Sequence, residues 1–204
     1  MSLEVVALST LLRNFDEHQV QILLDEFKSR DFSGKNEAHE VEDFLKNKAI
    51  YYDKNDFSKT HLVYSDYQGE KVLVGYYAVG INSLNFSTRQ LNKYSSKIKG
   101  QLKNKATKKD KTTGNIELTC YLIGQIGKNF SEDALKTNAI TGFKLLDLAY
   151  QTILEAQELT GGSFAYLEYE DTDKLREIYK KFGFKELVDY RTQNGLCMAI
   201  LRIK

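Results

Sequence analysis

The C-terminal third of the chain alternates between apolar runs typical of strands and apolar spacings typical of helices. Leu122 to Gly127 is a short apolar run that suits a buried strand. Apolar residues then recur at helical spacing over about three turns, at Leu145, Leu146, Ala149, Tyr150 and Ile153. We expect Gly161 and Gly162 to end this helix, because glycine adopts the left-handed cap conformation without steric cost.

A second strand and a second helix are predicted directly after those glycines. Phe164 to Glu170 is rich in aromatic residues and favours a strand. The segment from Asp171 to Asp173 supplies capping oxygens and negative charge for a first helical turn. The helix then has one apolar stripe, formed by Leu175, Ile178, Tyr179 and Phe182, with Gly183 at its end. This order predicts a parallel βαβ unit.

The N-terminal half predicts two amphipathic helices. Asp16 with Gln19 resembles a capping box, and the apolar stripe that follows is Val20, Leu23, Leu24 and Phe27. Asn36 is expected to cap the second helix, whose inward face is Val41, Phe44, Leu45 and Ala49.

Two hairpins are predicted from turn residues between strand-like runs. Strands at about Thr60 to Ser65 and Lys71 to Ile81 are joined by a turn that contains Gln68 and Gly69. Near the C-terminus, Asn194-Gly195 predicts a hairpin whose strands are about Phe184 to Thr192 and Leu196 to Ile203.

Length and composition indicate one globular domain spanning residues 1–204. The chain has 204 residues, of which 42% are hydrophobic, enough for an ordinary core. A net charge of +1 gives no global bias toward nucleic acid. No run of 18 apolar residues occurs, and the N-terminus lacks the basic-then-apolar pattern of a signal peptide. We therefore expect a cytoplasmic protein with no membrane partner.

The cysteines and histidines predict no metal site. Cys120 and Cys197 lie in separate strand-like runs without a CxxC spacing, so both are expected to be reduced core residues. The histidines fall in three different predicted elements, and no two have a ligand-like separation; they are His18, His39 and His61.

A basic insertion at about residues 85–115 interrupts two predicted strands. It has one acid, Asp110, and nine basic residues: Arg89, Lys93, Lys97, Lys99, Lys103, Lys105, Lys108, Lys109 and Lys111. One interpretation is a solvated, mobile loop that is partly helical around Leu91 to Leu102. The other is an arm that binds RNA phosphates by counterion release, without base stacking, since Tyr94 is the single aromatic residue from Arg89 to Lys111.

The chain carries Ile178-Tyr179-Lys180-Lys181-Phe182-Gly183-Phe184 after the predicted βαβ unit. With that unit, this segment resembles the core of the GNAT N-acetyltransferase family, whose final short helix usually contains F-Y-x-x-x-G-F. The resemblance implies an α/β (α+β) fold. Its central mixed, twisted β-sheet would have a splayed strand pair and helices on both faces.

Motifs upstream of that core follow the pattern of GNAT toxins from bacterial toxin-antitoxin pairs. They are Phe32-Ser-Gly-Lys-Asn36, Val41-Glu-Asp-Phe-Leu-Lys46, Ser58-Lys-Thr-His-Leu-Val-Tyr64 and Val74-Gly-Tyr-Tyr-Ala78. Those toxins acetylate the amino group of aminoacyl-tRNA. The resemblance, which runs from about Phe32 to Phe184, implies an enzyme with the same acceptor. An antitoxin protein and a second copy of the chain are further partners that it allows.

The resemblance also implies how acetyl-CoA would be held as a co-substrate. Tyr179 is expected to hydrogen-bond the CoA sulfur and stabilise the leaving thiolate. An oxyanion donor is expected among the backbone N–H groups of Ile126, Gly127 and Lys128, at the end of the splayed strand. The pyrophosphate is expected at the start of the long helix, at Thr141, Gly142, Phe143 and Lys144.

One departure from the family pattern lies in the pyrophosphate loop. The family usually has Q/R-x-x-G-x-G/A there, because glycines let backbone N–H groups approach the phosphates. This chain has a longer loop from Lys128 to Gly142, in which Gly142 and Thr141 fall where the last glycines would be. A GNAT-fold binding protein without catalysis is therefore the alternative function. An acetyltransferase for a peptide, polyamine or other small amine is another.

Two candidate residues also have a structural interpretation. Tyr179 lies on the apolar stripe with Leu175 and Phe182, so periodicity alone favours a core tyrosine, whereas the family resemblance favours the catalytic role. Glu117 is a candidate general base, although a solvated edge carboxylate would explain it too. An α-amino acceptor has a pKa of about 7.7–8.0 and is partly neutral near pH 7, so a dedicated base is not required.

Overall fold

The structure is a computed structural model that describes residues 2–30, 40–192 and 194–203. The chain divides into two compact units. The first comprises Met1–Gly80 and Gly124–Gln151, and the second comprises Ile81–Ile123 and Thr152–Lys204. The predicted motif from Phe32 to Asn36, including the Asn36 cap, lies outside the described residues.

The first unit combines three antiparallel strands with helices. Its elements are β1 (Leu3–Ala7), α1 (Leu8–Asn14), α2 (Glu17–Asp25), α3 (Glu40–Asp43), a π-helical segment (Phe44–Lys48), α4 (Ala49–Lys54), β2 (Lys59–Tyr67) and α7 (Glu132–Thr137). It also contains parts of β3 (Glu70–Phe86), β5 (Ile116–Lys128) and α8 (Gly142–Thr160). The strand order is β1-β2-β3, and Val63 of β2 is the partner of Val5 on β1 and of Gly75 on β3.

The core of the first unit lies between its helices and the β2–β3 hairpin. It is formed by Leu8, Val20, Leu24, Phe27, Phe44, Leu45, Ala49, Ile50, Leu62, Leu73, Tyr76 and Ala78. The predicted capping box is confirmed: the Gln19 N–H donates to the Asp16 carboxylate at 2.9 Å, and the Asp16 N–H donates to the Gln19 side chain at 3.2 Å. The hairpin turn is confirmed as well, with positive φ at Gln68 (53°) and Gly69 (88°).

The second unit contains, among its described residues, four strands and three helices of its own. Its elements are α5 (Thr88–Leu91), α6 (Ser96–Asn104), β4 (Lys108–Lys109), β6 (Phe164–Tyr169), α9 (Asp173–Phe182), β7 (Lys185–Arg191) and β8 (Cys197–Arg202), with parts of β3, β5 and α8. The strand order is β5-β6-β8-β7. The β5–β6 pair is parallel, whereas β6–β8, β7–β8 and β4–β5 are antiparallel.

The predicted βαβ unit is present as β5, α8 and β6. Gly161 and Gly162 follow α8 with φ of 78° and 115°, values that favour glycine. Thr172 caps α9 by accepting the Leu175 N–H at 3.4 Å, and Gly183 ends that helix with φ of 115°. The β5–β6 ladder ends at the pair Ile123 and Leu167, while β5 itself continues to Lys128.

Two features differ from the sequence prediction or were missing from it. The chain begins with β1 and α1, for which no pattern gave a prediction. The long loop predicted from Lys128 to Gly142 contains the short helix α7. Ser131 caps this helix by accepting the Ala134 N–H at 3.4 Å.

None of the helices in the described residues is both long enough and apolar enough to cross a membrane.

Candidate active site

An oxyanion donor was predicted at the end of β5. Successive backbone N–H groups there face opposite edges of the strand. The Asn129 N–H donates to the Val74 carbonyl at 2.9 Å, and the Gly127 carbonyl oxygen lies against Gly75, so both face β3. Successive residues of an extended strand direct their N–H groups to opposite edges. The N–H groups of Ile126 and Lys128 therefore point away from β3, whereas the Gly127 N–H faces it.

Asn129 fixes this strand end, a role that the sequence pattern did not reveal. Its side-chain amide donates to the Leu73 carbonyl at 2.7 Å, and its side-chain oxygen accepts the N–H groups of Lys28 at 3.0 Å and Ser131 at 2.9 Å. Asn129 is 2% exposed. Its contacts with Lys28 and Leu73 join residues far apart in sequence, so local composition carries no signal for them.

The start of α8, where the pyrophosphate was predicted, is an exposed and capped helix N-terminus. The Thr141 hydroxyl accepts the Lys144 N–H at 3.2 Å, and the Thr141 carbonyl accepts the Leu145 N–H at 3.0 Å. Thr141, Gly142, Phe143 and Lys144 are all exposed. The Lys144 ammonium pairs with Asp147 at 2.8 Å, so a phosphate there would compete with that carboxylate.

Gly75 brings the strand end and the helix start together within the first unit. A Cβ built on Gly75 would lie 2.8 Å from the Gly127 carbonyl oxygen and 2.9 Å from the Leu145 methyl carbons. Leu145 is fully buried in the first turn of α8. The absence of a side chain at Gly75 thus lets β3 contact both the end of β5 and the beginning of α8.

Tyr179 lies in the second unit, half-buried on α9. Its ring centroid is 5.0 Å from that of Tyr169 and 6.2 Å from that of Phe184, with both rings edge-on. Burial raises the pKa of the Tyr179 hydroxyl to about 12, so the phenol stays protonated near neutral pH. Among the described residues, no hydrogen-bond partner for this hydroxyl exists, which leaves it available to a ligand.

A cavity of about 330 Å³ opens beside Tyr179 within the second unit. Its lining combines aromatic and charged side chains, among them Tyr169, Arg176, Lys180, Phe184 and Glu186. Lys180 has no ion-pair partner in the described ranges. Tyr179 therefore lines a cavity together with three cationic side chains, Arg176, Lys180 and Lys185, and one carboxylate, Glu186.

Glu117 has the contacts expected of a structural carboxylate. It accepts hydrogen bonds from the Lys108 ammonium at 3.1 and 3.3 Å and from the Ser83 hydroxyl at 3.4 Å. This ion pair on the second unit favours the edge-carboxylate interpretation over a general base.

The other titratable candidates have no reactive environment. Cys120 and Cys197 are buried and free, as predicted, and burial raises the pKa of both thiols. Within residues 2–30, 40–192 and 194–203, no cluster of three or more His, Cys, Asp or Glu side chains is arranged to hold a metal.

The basic insertion contains two helices, α5 and α6, that pack on the core of the second unit. Leu91 and Leu102 are buried there, 0% and 1% exposed. Lys99 donates to the Asn92 side chain at 2.6 Å, and Lys108 pairs with Glu117. The exposed basic residues with no ion-pair partner in the described part of the chain are Arg89, Lys97, Lys105, Lys109 and Lys111.

The architecture is that of the GNAT fold, and the predicted fold is confirmed: a large mixed sheet flanked by helices. Among solved structures, the chain matches AtaT complexed with acetyl-methionyl-tRNAfMet, with 16% identity and a TM-score of 0.61 over 98% of this chain and 95% of that one. A mutant of the AtaT toxin bound to the C-terminus of the antitoxin AtaR and acetyl-CoA matches with 13% identity and a TM-score of 0.59, over 99% and 94%.

A mutant of KacT is similar to the same degree, with 14% identity and a TM-score of 0.58 over 99% of this chain and 95% of that chain. No family model and no curated protein matches the sequence. At identities this low, the likeness establishes the fold and leaves the chemistry to be argued from the residues.

Proposed function

We propose that this protein is an acetyl-CoA-dependent N-acetyltransferase that acts as a toxin on the α-amino group of aminoacyl-tRNA. The observation that carries the proposal is the likeness to AtaT complexed with acetyl-methionyl-tRNAfMet, which extends over 98% of the chain. AtaT bound to AtaR and acetyl-CoA is similar over 99%. The proposed site of action is the cytoplasm, where aminoacyl-tRNA is found.

The reaction requires a neutral amine and a leaving thiolate. The amine nitrogen attacks the thioester carbonyl carbon, a C–N bond forms, and the C–S bond breaks with its electron pair leaving on sulfur. The amine loses its extra proton to water. We assign to Tyr179 the hydrogen bond or proton that the CoA thiolate accepts, because its protonated hydroxyl has no partner in the described residues.

The oxyanion of the tetrahedral intermediate needs an N–H donor. Of the three predicted donors, Ile126 and Lys128 are favoured over Gly127, because the Gly127 N–H faces β3. The first N–H groups of a helix have no intrahelical acceptors and attract anions. We therefore assign the CoA pyrophosphate to the start of α8, at Thr141, Gly142, Phe143 and Lys144.

The RNA acceptor would be bound by the basic insertion. Lys97 lies on α6, Lys105 follows that helix and Lys109 lies on β4, so these exposed lysines are carried by or next to regular structure, which reduces the entropy lost when phosphates bind. Ion-pair formation with phosphates releases counterions and needs no base reading. A small antitoxin protein is the proposed protein partner, as AtaR is for AtaT.

A second candidate function is a GNAT-fold binding protein that has no catalysis. The observation in its favour is α7, which occupies the stretch where the family's glycine loop would be. Unlike those of a glycine-rich turn, the later N–H groups of α7 are taken up within the helix, beginning with the Leu135 N–H, which donates to the Ser131 carbonyl at 3.0 Å. This alternative and the enzyme differ in whether acetyl groups are transferred.

The test combines binding and turnover. Isothermal titration with CoA and acetyl-CoA measures whether the co-substrate binds, and radiolabelled acetyl-CoA with Met-tRNA, a peptide or a polyamine identifies the acceptor. The enzyme proposal predicts binding and transfer to Met-tRNA. Binding without transfer to any acceptor supports a CoA-binding protein without catalysis. No binding at millimolar CoA refutes the enzyme proposal and leaves a GNAT-fold interaction protein.

A further inference from the structure

Arg176 and Glu186, which line the cavity beside Tyr179, belong to a ring of five charged side chains. Its members come from three places along the chain: Asp171 after β6, Arg176 on α9, and Glu186 and Arg191 on β7, with Asp173 at the start of α9. All of them belong to the second unit. The ring therefore ties the end of β6, helix α9 and strand β7 to one another.

Arg176 is the centre of this charged ring. Its Nε donates to the Glu186 carboxylate at 2.8 Å, its guanidinium also pairs with Asp171, and a third contact reaches Asp173 at 3.3 Å. Arg191 pairs with Asp171 at 3.1 Å and approaches Glu186 at 3.8 Å. A planar guanidinium held from several directions has little freedom to rotate, so it fixes the backbone that carries it.

Helix α9 packs through a half-buried apolar stripe, and none of its ten residues is fully buried. Arg176 and Tyr179 are three residues apart, hence on one face of the helix. The contacts of Arg176 therefore add to this packing in setting the angle at which α9 presents Tyr179.

Tyr169 links the charged ring directly to the Tyr179 phenol. Tyr169 is 4% exposed, and its ring stands edge-on to Tyr179 with the centroids 5.0 Å apart. Burial and the nearby Glu186 carboxylate raise the pKa of the Tyr169 hydroxyl, and Arg176 holds that carboxylate at 2.8 Å. Tyr169 and Glu186 also line the same cavity as Tyr179. Neighbouring side chains thus lead from Arg176 through Glu186 and Tyr169 to Tyr179.

We propose that Arg176, Glu186 and Tyr169 are positioning residues that fix the orientation of the Tyr179 hydroxyl for acetyl transfer. The effect on acetyl transfer rests on the proposed function. The orientation itself is a property of the protein without substrate. None of the three touches the reacting atoms in this assignment, because each acts through the ring or the helix that carries Tyr179.

The test uses two variants and one control. Tyr169→Phe keeps the ring and removes the hydroxyl near Glu186, and Glu186→Gln removes the charge that holds Arg176. The control, Lys71→Met, breaks a surface ion pair with Asp66 of 2.8 Å in the first unit. All are made in full-length protein labelled with 13C at the tyrosine Cζ. The Tyr179 signal is the one that disappears in Tyr179→Phe.

We expect both variants to shift or broaden the Tyr179 Cζ signal. At matched folded fraction, kcat should fall by about tenfold, while KM for acetyl-CoA should stay within about twofold of the wild-type value. The control should change neither quantity. A Tyr179 signal that is unchanged in both variants overturns the proposal, and so does a change in KM alone.

The two proposals fail in different ways. If wild type transfers no acetyl group, the proposed function is wrong, and the Cζ signal alone still decides whether Glu186 and Tyr169 orient Tyr179. If Glu186→Gln does not fold, Tyr169→Phe decides, because it preserves the buried ring. A shift of the signal without loss of kcat in an active enzyme refutes the catalytic part.

Discussion

The carbonyl oxygen of Gly127 lies against the α-carbon of Gly75, so that a Cβ built on Gly75 would come within 2.8 Å of it. That separation is shorter than real Cβ contacts, and the oxygen belongs to backbone that cannot move by a change of rotamer. The same Cβ would meet both methyl carbons of Leu145 at 2.9 Å. The end of β5 and the first turn of α8 can therefore lie beside β3 only if residue 75 has no side chain.

Gly75→Ala is expected to destabilise the protein by about 1–3 kcal/mol, the usual cost of overpacking a core, or more because one obstacle is backbone. Urea unfolding at equilibrium measures this. Gly142→Ala is the matched control, since a Cβ there meets nothing within 4 Å and the position begins a helix. The control should leave stability unchanged or slightly raised. Equal stability of the two variants would contradict the packing argument.

Asn129→Ala is also expected to destabilise the folded state. The substitution leaves the Leu73 carbonyl and the N–H groups of Lys28 and Ser131 without their partner. Each buried polar group that loses its partner costs about 1–3 kcal/mol, so a total of at least ~2 kcal/mol is expected. The control is Asn47→Ala, which removes an exposed hydrogen bond to Asp43. A loss no larger than that of the control would show that water replaces the missing contacts.

Local signals in the sequence were sufficient for the helix ends and the hairpin turns. The capping box at Asp16, the Thr172 cap and the glycine at 183 each act within a few residues, so their patterns identify them. The βαβ order followed from the same kind of evidence. These elements, with the resemblance, were enough to predict the fold.

Contacts between distant residues could not be predicted from the sequence. Asn129 and Lys28 are 101 positions apart, and the hydrogen bond between them has no sequence signature. Helix α7 was predicted as loop because the family pattern has a glycine turn there. Tyr179 was singled out from its motif. Its support by Glu186 and Arg176 depends on tertiary contacts that no spacing encodes.

The basic insertion predicts a salt-dependent interaction with the RNA acceptor. Four lysines without ion-pair partners in the described residues, Lys97, Lys105, Lys109 and Lys111, are replaced by glutamine. Each lysine that contacts a phosphate contributes about 0.7–0.9 to the slope of log K against log salt, so the magnitude of the slope should fall by up to about 2.8–3.6 for four lysines. Filter binding of Met-tRNA at several salt concentrations measures it.

A control for charge alone replaces four lysines that are ion-paired elsewhere in the chain: Lys48, Lys54, Lys71 and Lys136. Both variants lose the same formal charge. An identical salt slope for the two would mean that net charge, rather than the insertion, attracts the RNA.

The pH dependence of transfer follows from the raised pKa of Tyr179, about 12. The protonated phenol is the form that donates a hydrogen bond or proton to the CoA thiolate. It persists to roughly pH 11, whereas the phenol of an ordinary tyrosine stays protonated only to roughly pH 9. With a stable α-amino acceptor such as methionine amide, the rate should rise to about pH 8 as the amine becomes neutral and then stay level. A fall centred near pH 10 would show that Tyr179 has an ordinary pKa.

Folding must be measured alongside that profile. Burial favours the neutral phenol, so the folded state has the higher pKa. The corresponding stability is fully present below about pH 10, the unfolded value, and is lost as pH rises through about 12. Circular dichroism at each pH separates loss of fold from loss of the acid.

Tyr179→Phe is the most direct test of the proposed chemistry. The substitution keeps the ring and its edge contacts with Tyr169 and Phe184, and removes a hydroxyl that has no hydrogen-bond partner in the described residues. Stability should therefore change little. The rate of acetyl transfer should fall by about 10² to 10⁴, or roughly 3 to 5 kcal/mol, because the leaving thiolate loses its acid. The measurement is transfer to Met-tRNA at matched folded fraction, with CoA binding measured in parallel. Rates within about threefold of wild type, less than ~1 kcal/mol, would remove Tyr179 from the mechanism and leave it a core residue.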